Sequence, residues 1–263
     1  YIQDPKLRNI HKALIKDRIV HHLVSKFLNK IYDKTFIFDS YSCRINKGTH
    51  KAINRLKKFT LKQGKNNKIN FYILKCDIKK FFDNIDHNIL IDILKRKIKD
   101  KNILWLLTEI INSFYKDKGK SIPLGNLTSQ YFANIYLNEL DKFIKHKLKI
   151  QHYIRYTDDF VILDRNKEKL KQLIVPINNF LQNQLKLSLH PDKIIIRKYN
   201  QGIDFLGYIT LPYYRVLRTK TKKRMFKRIN HNNIQSYLGL LSHCNGYKLK
   251  RELKNYIREN MTP

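Results

Sequence analysis

The sequence predicts an α+β fold in which helices lie on one face of an antiparallel sheet. Residues 71–78 are rich in β-forming side chains and precede two helical segments. Two more β-rich runs, 152–156 and 160–163, flank a short polar centre, as in a tight hairpin. A helix at 167–186 and further strands follow. This order is a split βαββαβ arrangement.

The residues before the first strand are predicted to be helical. Residues 10–31 form the first helix because apolar side chains recur every four positions. These positions are Ile15, Ile19, Leu23, Phe27 and Ile31. A second helix is predicted over 49–61, between a polar loop at 39–44 and a polar turn at 63–67.

The elements after the first strand follow from the same patterns. Helices are expected at 87–99 and 102–115, and a long amphipathic helix at 127–148. The apolar side chains of that long helix are Phe132, Ile135, Leu140, Phe143 and Ile144. Strands at 193–198 and 203–210 are expected to form a second hairpin, and the remaining residues are basic and mostly helical.

The charge balance indicates a polyanionic partner. Lys and Arg number 54 and Asp and Glu 21, so the net charge is 54 − 21 = +33. Because 42% of the residues are hydrophobic, a disordered basic tail is excluded. Nucleic acid is favoured over an anionic membrane surface. No apolar run approaches a membrane span and no secretory leader is visible, so we expect a cytoplasmic protein with no membrane partner.

The cysteines and histidines indicate no metal site of their own. Cys43, Cys76 and Cys244 lack the spacing of a zinc site, and the histidines form no HExxH motif. We therefore expect reduced thiols and no structural zinc.

Three aspartates are the candidate catalytic groups. Asp158 and Asp159 lie at the polar centre of the predicted hairpin, where broken strand alternation lets adjacent side chains face one place. Asp77 ends a strand that can lie beside that hairpin in a split βαββαβ sheet. Three carboxylates around one point suit a pair of Mg²⁺ ions and two-metal phosphoryl transfer. The alternative is that Asp158 and Asp159 only stabilise a turn.

At this point the sequence resembles the reverse transcriptases. Residues 156–159 (YTDD) resemble their YxDD box, and residues 77–82 (DIKKFF) resemble their first catalytic motif. Further similar segments occur in the family's order: fingers motifs at 6–8, 16–21 and 40–44, the loop before the palm helix at 123–130, a lysine motif at 187–193 and the primer grip at 205–208.

The resemblance implies a right-hand polymerase. Residues 1–70 would form the fingers and 71–210 the palm, with finger-proximal helices at about 87–117. Residues 211–263 would form a helical thumb, which we expect to be cut short. The implied activity is RNA-directed DNA synthesis, in which a primer 3′-hydroxyl attacks the α-phosphate of a dNTP and releases pyrophosphate. Template RNA, primer strand and dNTPs are the implied partners.

The loop at 123–130 indicates a subfamily. Group II intron and retroviral enzymes usually carry Gln before Gly125, whereas this chain carries Leu124. The run 124–130, together with residues 48–50 and the tail from 202 to 243, resembles the reverse transcriptases of diversity-generating retroelements. That likeness implies error-prone copying and a small basic accessory protein. A retron or phage-defence reverse transcriptase, or a catalytically silent RNA-binding scaffold, are the alternatives.

The resemblance assigns the metal-binding roles. Asp77 and Asp158 would hold two Mg²⁺ ions, for which Mn²⁺ can substitute, with the Ile78 carbonyl as a further candidate ligand. Asp159 would lie close to the ions. Asp83 and Asp86 are also near in sequence, but a helix cap or a surface charge accounts for them.

The nucleotide-binding roles fall on several segments. Phe82 would lie under the sugar and exclude a 2′-hydroxyl, whereas Phe81 is the core candidate. Arg8, assisted by Lys6, would grip the triphosphate. Lys193 either neutralises the pyrophosphate or is an ordinary surface lysine.

The loop before the palm helix would contact the new base pair. Gly125 would let a backbone approach the pair, and Gln130 belongs to the same motif. Leu124 cannot form the hydrogen bond that Gln would form, so we expect looser checking of pair geometry.

The nucleic-acid contacts are predicted mainly after the palm. The primer grip consists of Phe205, Leu206, Gly207 and Tyr208. The basic run that follows contains no acid and would follow an RNA–DNA duplex. Its members are Arg215, Arg218, Lys220, Lys222, Lys223, Arg224, Lys227 and Arg228. A solvated helix face is the alternative. Arg44 is a candidate contact to template or phosphate.

Overall fold

The computed structural model describes residues 2–3, 7–8, 10–11 and 13–260. Its helices are α1 (Ile15–Tyr32), α2 (Thr49–Gln63), α3 (His87–Lys95), α4 (Lys101–Asn112), α5 (Leu127–Lys142), α6 (Lys167–Leu185), α7 (Thr219–Arg228), α8 (Ile234–Leu241) and α9 (Tyr247–Asn260). Its strands are β1 (Ile2–Gln3), β2 (Leu7–Arg8), β3 (Tyr72–Asp77), β4 (Tyr153–Tyr156), β5 (Asp159–Asp164), β6 (Ile195–Lys198), β7 (Ile203–Phe205), β8 (Tyr208–Thr210) and β9 (Arg215–Leu217). Within these ranges, no helix has both the length and the apolar character needed to cross a membrane.

The central sheet has the predicted topology. Its strands are antiparallel and lie in the order β4-β5-β3-β6. The chain passes from β3 to β4 through α3, α4 and α5, and from β5 to β6 through α6. This order is that of a split βαββαβ unit, with the first strand in the middle of the sheet.

Both faces of the central sheet are covered, although the sequence analysis placed helices on one face only. Leu74 and Ile162 belong to a core shared with α1, α3, α4, α5 and α6. Their neighbours Ile73 and Val161 point to the other face and pack against α2. A continuous apolar run such as 160–163 is typical of a strand that is buried on both faces. The apolar run 160–163 therefore indicated that a second layer, here α2, covers the other face of the sheet.

The second hairpin forms one strand later than predicted. Residues 193–198 and 203–210 do not pair with each other, because β6 is the edge strand beside β3. The hairpin is instead β7–β8, and β9 joins it to complete a separate three-stranded sheet. Its turn consists of Leu206 and Gly207, whose φ angles are 53° and 87°. Positive φ at two adjacent residues lets the chain reverse tightly.

The C-terminal helices share a third apolar core. Met225, Leu241 and Leu253 contribute one buried side chain each from α7, α8 and α9. Tyr208 on β8, Leu217 on β9, Ile53 on α2 and Ile229 after α7 belong to the same cluster. The basic C-terminal region is therefore attached to the rest of the chain through the small sheet and α2.

Candidate active site

Two of the candidate aspartates lie directly opposite each other in the central sheet. Asp77 ends β3 and Asp159 begins β5, and the two residues are register partners. Side chains at opposite positions on antiparallel strands project from the same face. The strand pairing therefore brings both carboxylates to one side of the sheet, as expected from the sequence.

The third aspartate lies in the hairpin turn. Tyr156 pairs with Asp159, so Thr157 and Asp158 form a two-residue loop between β4 and β5. Thr157 has a φ of 54°, in the left-handed region. The amide of Ile78 donates a hydrogen bond to the Asp158 carbonyl at 3.3 Å. The hairpin tip is thus attached to the end of β3, and the turn lets adjacent aspartates face the same cleft.

A cleft of about 650 Å³ opens in front of these carboxylates. It brings together many of the residues that the sequence analysis singled out: Asp77, Phe82, Leu124, Gly125, Gln130, Asp158, Asp159, Lys193, Leu206 and Arg218. Side chains that the sequence analysis did not assign to the site, among them Ser42 and Asn134, also line the cleft. Residues that are more than a hundred positions apart in the sequence therefore line the same cleft.

Two lysines balance the negative charge of the site. The Lys193 ammonium lies 2.7 Å from Asp77 Oδ1, and the Lys75 ammonium lies 3.1 Å from Asp159 Oδ2. Burial raises the pKa of Asp159 to about 7, and the neighbouring Asp77 and Asp158 act in the same direction, while Lys75 opposes them. Carboxylates that are this crowded are stabilised by an added positive charge.

The donor set fits a hard divalent cation. Three carboxylates supply oxygen ligands, and Asp159 Oδ1 is buried without a hydrogen-bond partner. In the part of the chain that the structure describes, no three His, Cys, Asp or Glu side chains enclose an ion site as they stand. Asp77 is paired with Lys193, so an ion at Asp77 requires that this lysine move. The Ile78 carbonyl as a ligand stays a prediction.

The two neighbouring acids have structural partners. Asp86 caps α3, since its Oδ1 accepts a hydrogen bond from the Ile89 amide at 3.1 Å, and it also pairs with Lys186. Asp83 pairs with Lys116, although it lines the cleft. The predicted capping role is thus confirmed for Asp86.

The rings of the two adjacent phenylalanines contact each other edge to face, with centroids 5.2 Å apart, but they differ in burial. Phe81 is 2% exposed and belongs to the main core, as predicted. Phe82 is half-buried and lines the cleft. The 3₁₀ turn Phe81–Asn84 follows Lys80, whose φ of 44° turns the chain out of β3 and places both residues beside the cleft.

Gly125 is required by the chain itself. Its φ is 118°, and an added Cβ would lie 2.7 Å from Ile10 Cγ2 and 2.8 Å from the His11 carbonyl oxygen. The His11 amide also donates to the Leu124 carbonyl at 2.8 Å. The close approach of residues 10–11 therefore accounts for this glycine, and the approach of a backbone to the base pair stays a prediction.

Two arginines predicted to bind nucleic acid make hydrogen bonds within the fold. The side chain of Arg44 is 8% exposed, pairs with Asp33 and donates to backbone carbonyls of its own loop. Arg215 donates to Asn54 on α2 and to the His243 carbonyl after α8. A planar guanidinium suits several carbonyl acceptors at once, which the sequence pattern did not reveal. These contacts give both side chains a structural role, and a nucleic-acid contact of either one stays a prediction.

The predicted primer grip divides in the same way. Phe205 and Tyr208 are buried, and the Tyr208 hydroxyl donates to the Leu240 carbonyl at 3.0 Å. Only Leu206, at the turn, lines the cleft. The β7–β8 hairpin therefore presents its turn to the cleft and its aromatic rings to the core, and its role as a primer grip stays a prediction.

The basic run continues along α7 at the surface. The residues exposed there are Lys220, Lys222, Lys223, Lys227 and Arg228, while Arg224 is partly covered. Met225 is the buried residue of this helix. Arg8 lies in β2, but its predicted phosphate contact lies outside the described part of the structure, as does Lys6.

A fully buried ion pair beneath the hairpin was missed by the sequence analysis. Arg155 Nε and Nη2 donate to the two oxygens of Asp141 at 2.7 and 2.6 Å, and both side chains are 0% exposed. Arg155 Nη1 donates to the Thr157 carbonyl at 2.9 Å. The Tyr153 hydroxyl donates to Asp141 Oδ1 at 2.6 Å. The hydrogen bond from Arg155 to Thr157 thus holds the turn that carries Asp158 against the buried ion pair. Its sequence signal was an arginine within an otherwise apolar strand.

The chain matches a described protein family. The family model "Reverse transcriptase (RNA-dependent DNA polymerase)" matches residues 3–210. The putative COX1/OXI3 intron 2 protein of Saccharomyces cerevisiae is 26% identical over 82% of this chain and 32% of its own length. The group II intron-encoded protein LtrA of Lactococcus lactis is 26% identical over 84% of this chain and 47% of its own length. The chain spans less than half of these two relatives.

Solved structures confirm the fold class. Apo telomerase from Candida tropicalis, truncated from its C-terminal domain, has a TM-score of 0.58 at 18% identity, over 76% of this chain and 45% of that one. Telomerase from Candida albicans, in complex with a fragment of telomeric RNA, has a TM-score of 0.58 at 14% identity, over 91% of this chain and 46% of that one. The α+β arrangement is that of a right-hand polymerase.

Proposed function

The chain belongs to the reverse transcriptase family, and we propose that it copies a template RNA into DNA by adding dNTPs to a primer. One observation carries this proposal: Asp77, Asp158 and Asp159 line a single cleft. Its volume of about 650 Å³ is in the range of a nucleotide-sized ligand site. The catalytically silent scaffold is disfavoured because all three carboxylates are in place.

Asp77 and Asp158 are proposed to hold two Mg²⁺ ions, with Asp159 beside them and Mn²⁺ as a substitute. Bound ions would lower the pKa of the primer 3′-hydroxyl and stabilise charge on the departing pyrophosphate. The chain contributes the placement of these carboxylates. Lys193, which is 39% exposed at the cleft, would neutralise phosphate oxygens once it leaves Asp77.

Phe82 and Leu124 are proposed to set selectivity. The Phe82 ring lies on the cleft wall, where a 2′-hydroxyl on the incoming sugar would collide with it. Leu124 offers the nascent base pair an apolar side chain that forms no hydrogen bond. A site without such a contact rejects wrong partners less strongly.

The relatives favour one kind of genetic element over the others. Two of them are named as intron proteins, one from yeast and one from a group II intron. We therefore propose a retroelement enzyme of the type that group II introns encode. The diversity-generating assignment, with its accessory protein, and the retron or phage-defence alternatives receive no support from these relatives.

Primer extension on a defined RNA template with Mg²⁺ tests the proposed function. Asp158→Asn and Asp77→Asn should each reduce the extension rate by about 10³-fold or more, because each removes a charged ligand oxygen. Asp164→Asn is the matched control, since Asp164 lies at the other end of β5. Equal rates for Asp158→Asn and Asp164→Asn would contradict the proposal.

Sequencing of the product DNA tests the role of Leu124. Leu124→Gln should lower misincorporation opposite template adenines, because the added amide can form a hydrogen bond with the new pair. Leu124→Met, which keeps the site apolar, is the control and should retain the original error pattern. An unchanged error spectrum in Leu124→Gln would remove this idea.

A further inference from the structure

A link of four residues joins the catalytic hairpin to the start of the C-terminal helices. The Lys75 ammonium contacts Asp159 Oδ2 at 3.1 Å and donates to the Asp204 carbonyl at 2.7 Å. The Asp204 carboxylate accepts a hydrogen bond from Arg218 Nε at 2.7 Å. We propose that Lys75 is a positioning residue, which holds strand β7 and the following turn in register with the catalytic carboxylates. These four residues are called the Lys75 link below.

Lys75 lies where packing alone would favour an apolar residue. Strand β3 alternates between faces, so Lys75 shares the α2-facing side with Ile73. Its side chain is 19% exposed. A largely buried ammonium is costly unless it is paired and hydrogen-bonded. The two contacts satisfy that requirement, and they join three strands: β3, β5 and β7.

The outer half of the link holds the turn that faces the cleft. The Arg218 amide donates to the Gly207 carbonyl at 2.9 Å, while its side chain holds Asp204 on the strand before the turn. Leu206, between them, has a left-handed φ of 53° and lines the cleft. A non-glycine residue holds this conformation only where its surroundings impose it. Arg218 therefore holds the turn after β7, and Lys75 holds β7 itself against the central sheet.

The Lys75 link contains more contacts than are needed to neutralise the charge of Asp159. Neutralisation requires only the contact between Lys75 and Asp159. Here Asp204 offers its carbonyl to Lys75 and its carboxylate to Arg218. A shift at one end therefore moves the whole of β7. The link would keep the primer end, at the turn, in register with the catalytic carboxylates, and reacting groups tolerate little misplacement.

A double-mutant cycle on primer extension tests this inference, which rests on the proposed polymerase activity. The variants are Lys75→Met, Asp204→Ala and the double variant, assayed for kcat, the KM for primer–template and the KM for dNTP. Each single variant should lower kcat over the KM for primer–template by about tenfold, with the KM for dNTP within about twofold. Lys75→Met removes the contacts at the inner end of β7, and Asp204→Ala removes the Arg218 contact at its outer end while keeping the carbonyl. The double variant should be no more than about threefold worse than the less active single variant, because either break releases the same strand.

The controls separate this inference from the proposed function and from misfolding. Lys169→Met removes the pair with Asp164 at the far end of β5 and should leave the kinetics unchanged. Lys75→Arg keeps a charged donor and should restore most of the activity. If Lys75→Met loses its near-ultraviolet circular dichroism, Lys75→Gln takes its place in the cycle.

Four outcomes count against the proposals. Single effects that multiply to about 100-fold in the double variant would overturn the Lys75 link. An effect of Lys75→Met confined to the KM for dNTP would do the same. If the unsubstituted protein extends no primer at all, the proposed function fails, whereas normal extension with silent Lys75 variants defeats only this inference.

Discussion

The catalytic hairpin, β4–β5 with its turn, and helix α7 serve the same proposed reaction but are built differently. The hairpin rests on Arg155 and Asp141, which are fully buried and joined by two short hydrogen bonds. Helix α7 buries Met225 and carries a row of lysines and arginines at the surface. The hairpin is held in place by hydrogen bonds of fixed geometry, whereas the notable property of α7 is the number of positive charges that it exposes.

This difference matches what each region has to do. Carboxylates that serve a reaction must be held to within a fraction of an ångström. Binding to a nucleic-acid backbone depends on how many cations approach the phosphates, and exposed lysine side chains adapt their positions. We therefore expect changes in the hairpin to act on stability and rate, and changes in α7 to act on affinity and its salt dependence.

The largest effect is expected in the hairpin. Arg155→Met should reduce the free energy of unfolding by about 3–5 kcal/mol, because it leaves Asp141 charged and buried without its partner. Urea denaturation monitored by circular dichroism measures this change. Arg155→Met combined with Asp141→Leu should recover most of the loss. A decrease in the free energy of unfolding below about 1 kcal/mol in Arg155→Met would contradict this prediction, because an exposed ion pair contributes as little.

The second effect is expected in α7. Replacing Lys220, Lys223 and Lys227 by Gln should leave stability nearly unchanged, but should reduce the salt dependence of RNA–DNA duplex binding by about one unit of slope per lost contact. Titrations at several salt concentrations measure the slope. The control replaces three exposed lysines at the start of α6, namely Lys167, Lys169 and Lys171. Equal slopes in both variants would show that α7 is only a solvated face.

The smallest effect is a pH dependence within β5. The folded pKa of Asp159 is about 7, mainly through burial, against an ordinary value of 3.8. Between these values the folded state keeps a proton that the unfolded state has lost, so this group lowers stability as the pH rises from about 4 to about 7. Without divalent cations, Asp159→Asn should gain about 3 °C or more in melting temperature relative to the unsubstituted protein over this window.

Asp164 supplies the matched control on the same strand. Burial raises its pKa, but hydrogen bonds from the Asn166 amide and from Lys169 outweigh burial, and its pKa lies below 3.8. The ionised Asp164 carboxylate therefore stabilises the folded state above the unfolded pKa, and this stabilisation is lost as the pH falls through the folded pKa. Asp164→Asn should therefore give a constant offset between pH 5 and 7. A slope shared by both variants would contradict the assignment to Asp159.

The parts of the molecule that sequence could predict are those with local signals. The four strands of the central sheet are visible as β-rich runs, and the hairpin that holds Asp158 has a polar centre between two of them. Asp77 was found because it ends such a run. Ten predicted residues then proved to line one cleft. Periodicity and turn chemistry act over a few residues, which is why they identify strands and turns well.

The parts that sequence could not predict depend on long-range pairing. Asn134, Asn138 and Asp141 form a polar stripe on α5 that has the pattern of a solvent-facing side, yet all three are buried. The buried arginine of the hairpin supplies the partner of Asp141. Similarly, Lys75 has the appearance of an ordinary strand lysine until β5 and β7 are placed beside it. Which acid meets which base is decided by the fold.

The close approach at Gly125 ties two distant stretches of the chain to each other. The floor of the cleft and the stretch around His11 share a hydrogen bond and leave no room for even a methyl group between them. Variants at position 125 would therefore displace the early segment before they altered any contact with a nucleotide. A substitution at residue 10 or 11 is therefore expected to shift the loop at Leu124 and Gly125 as well.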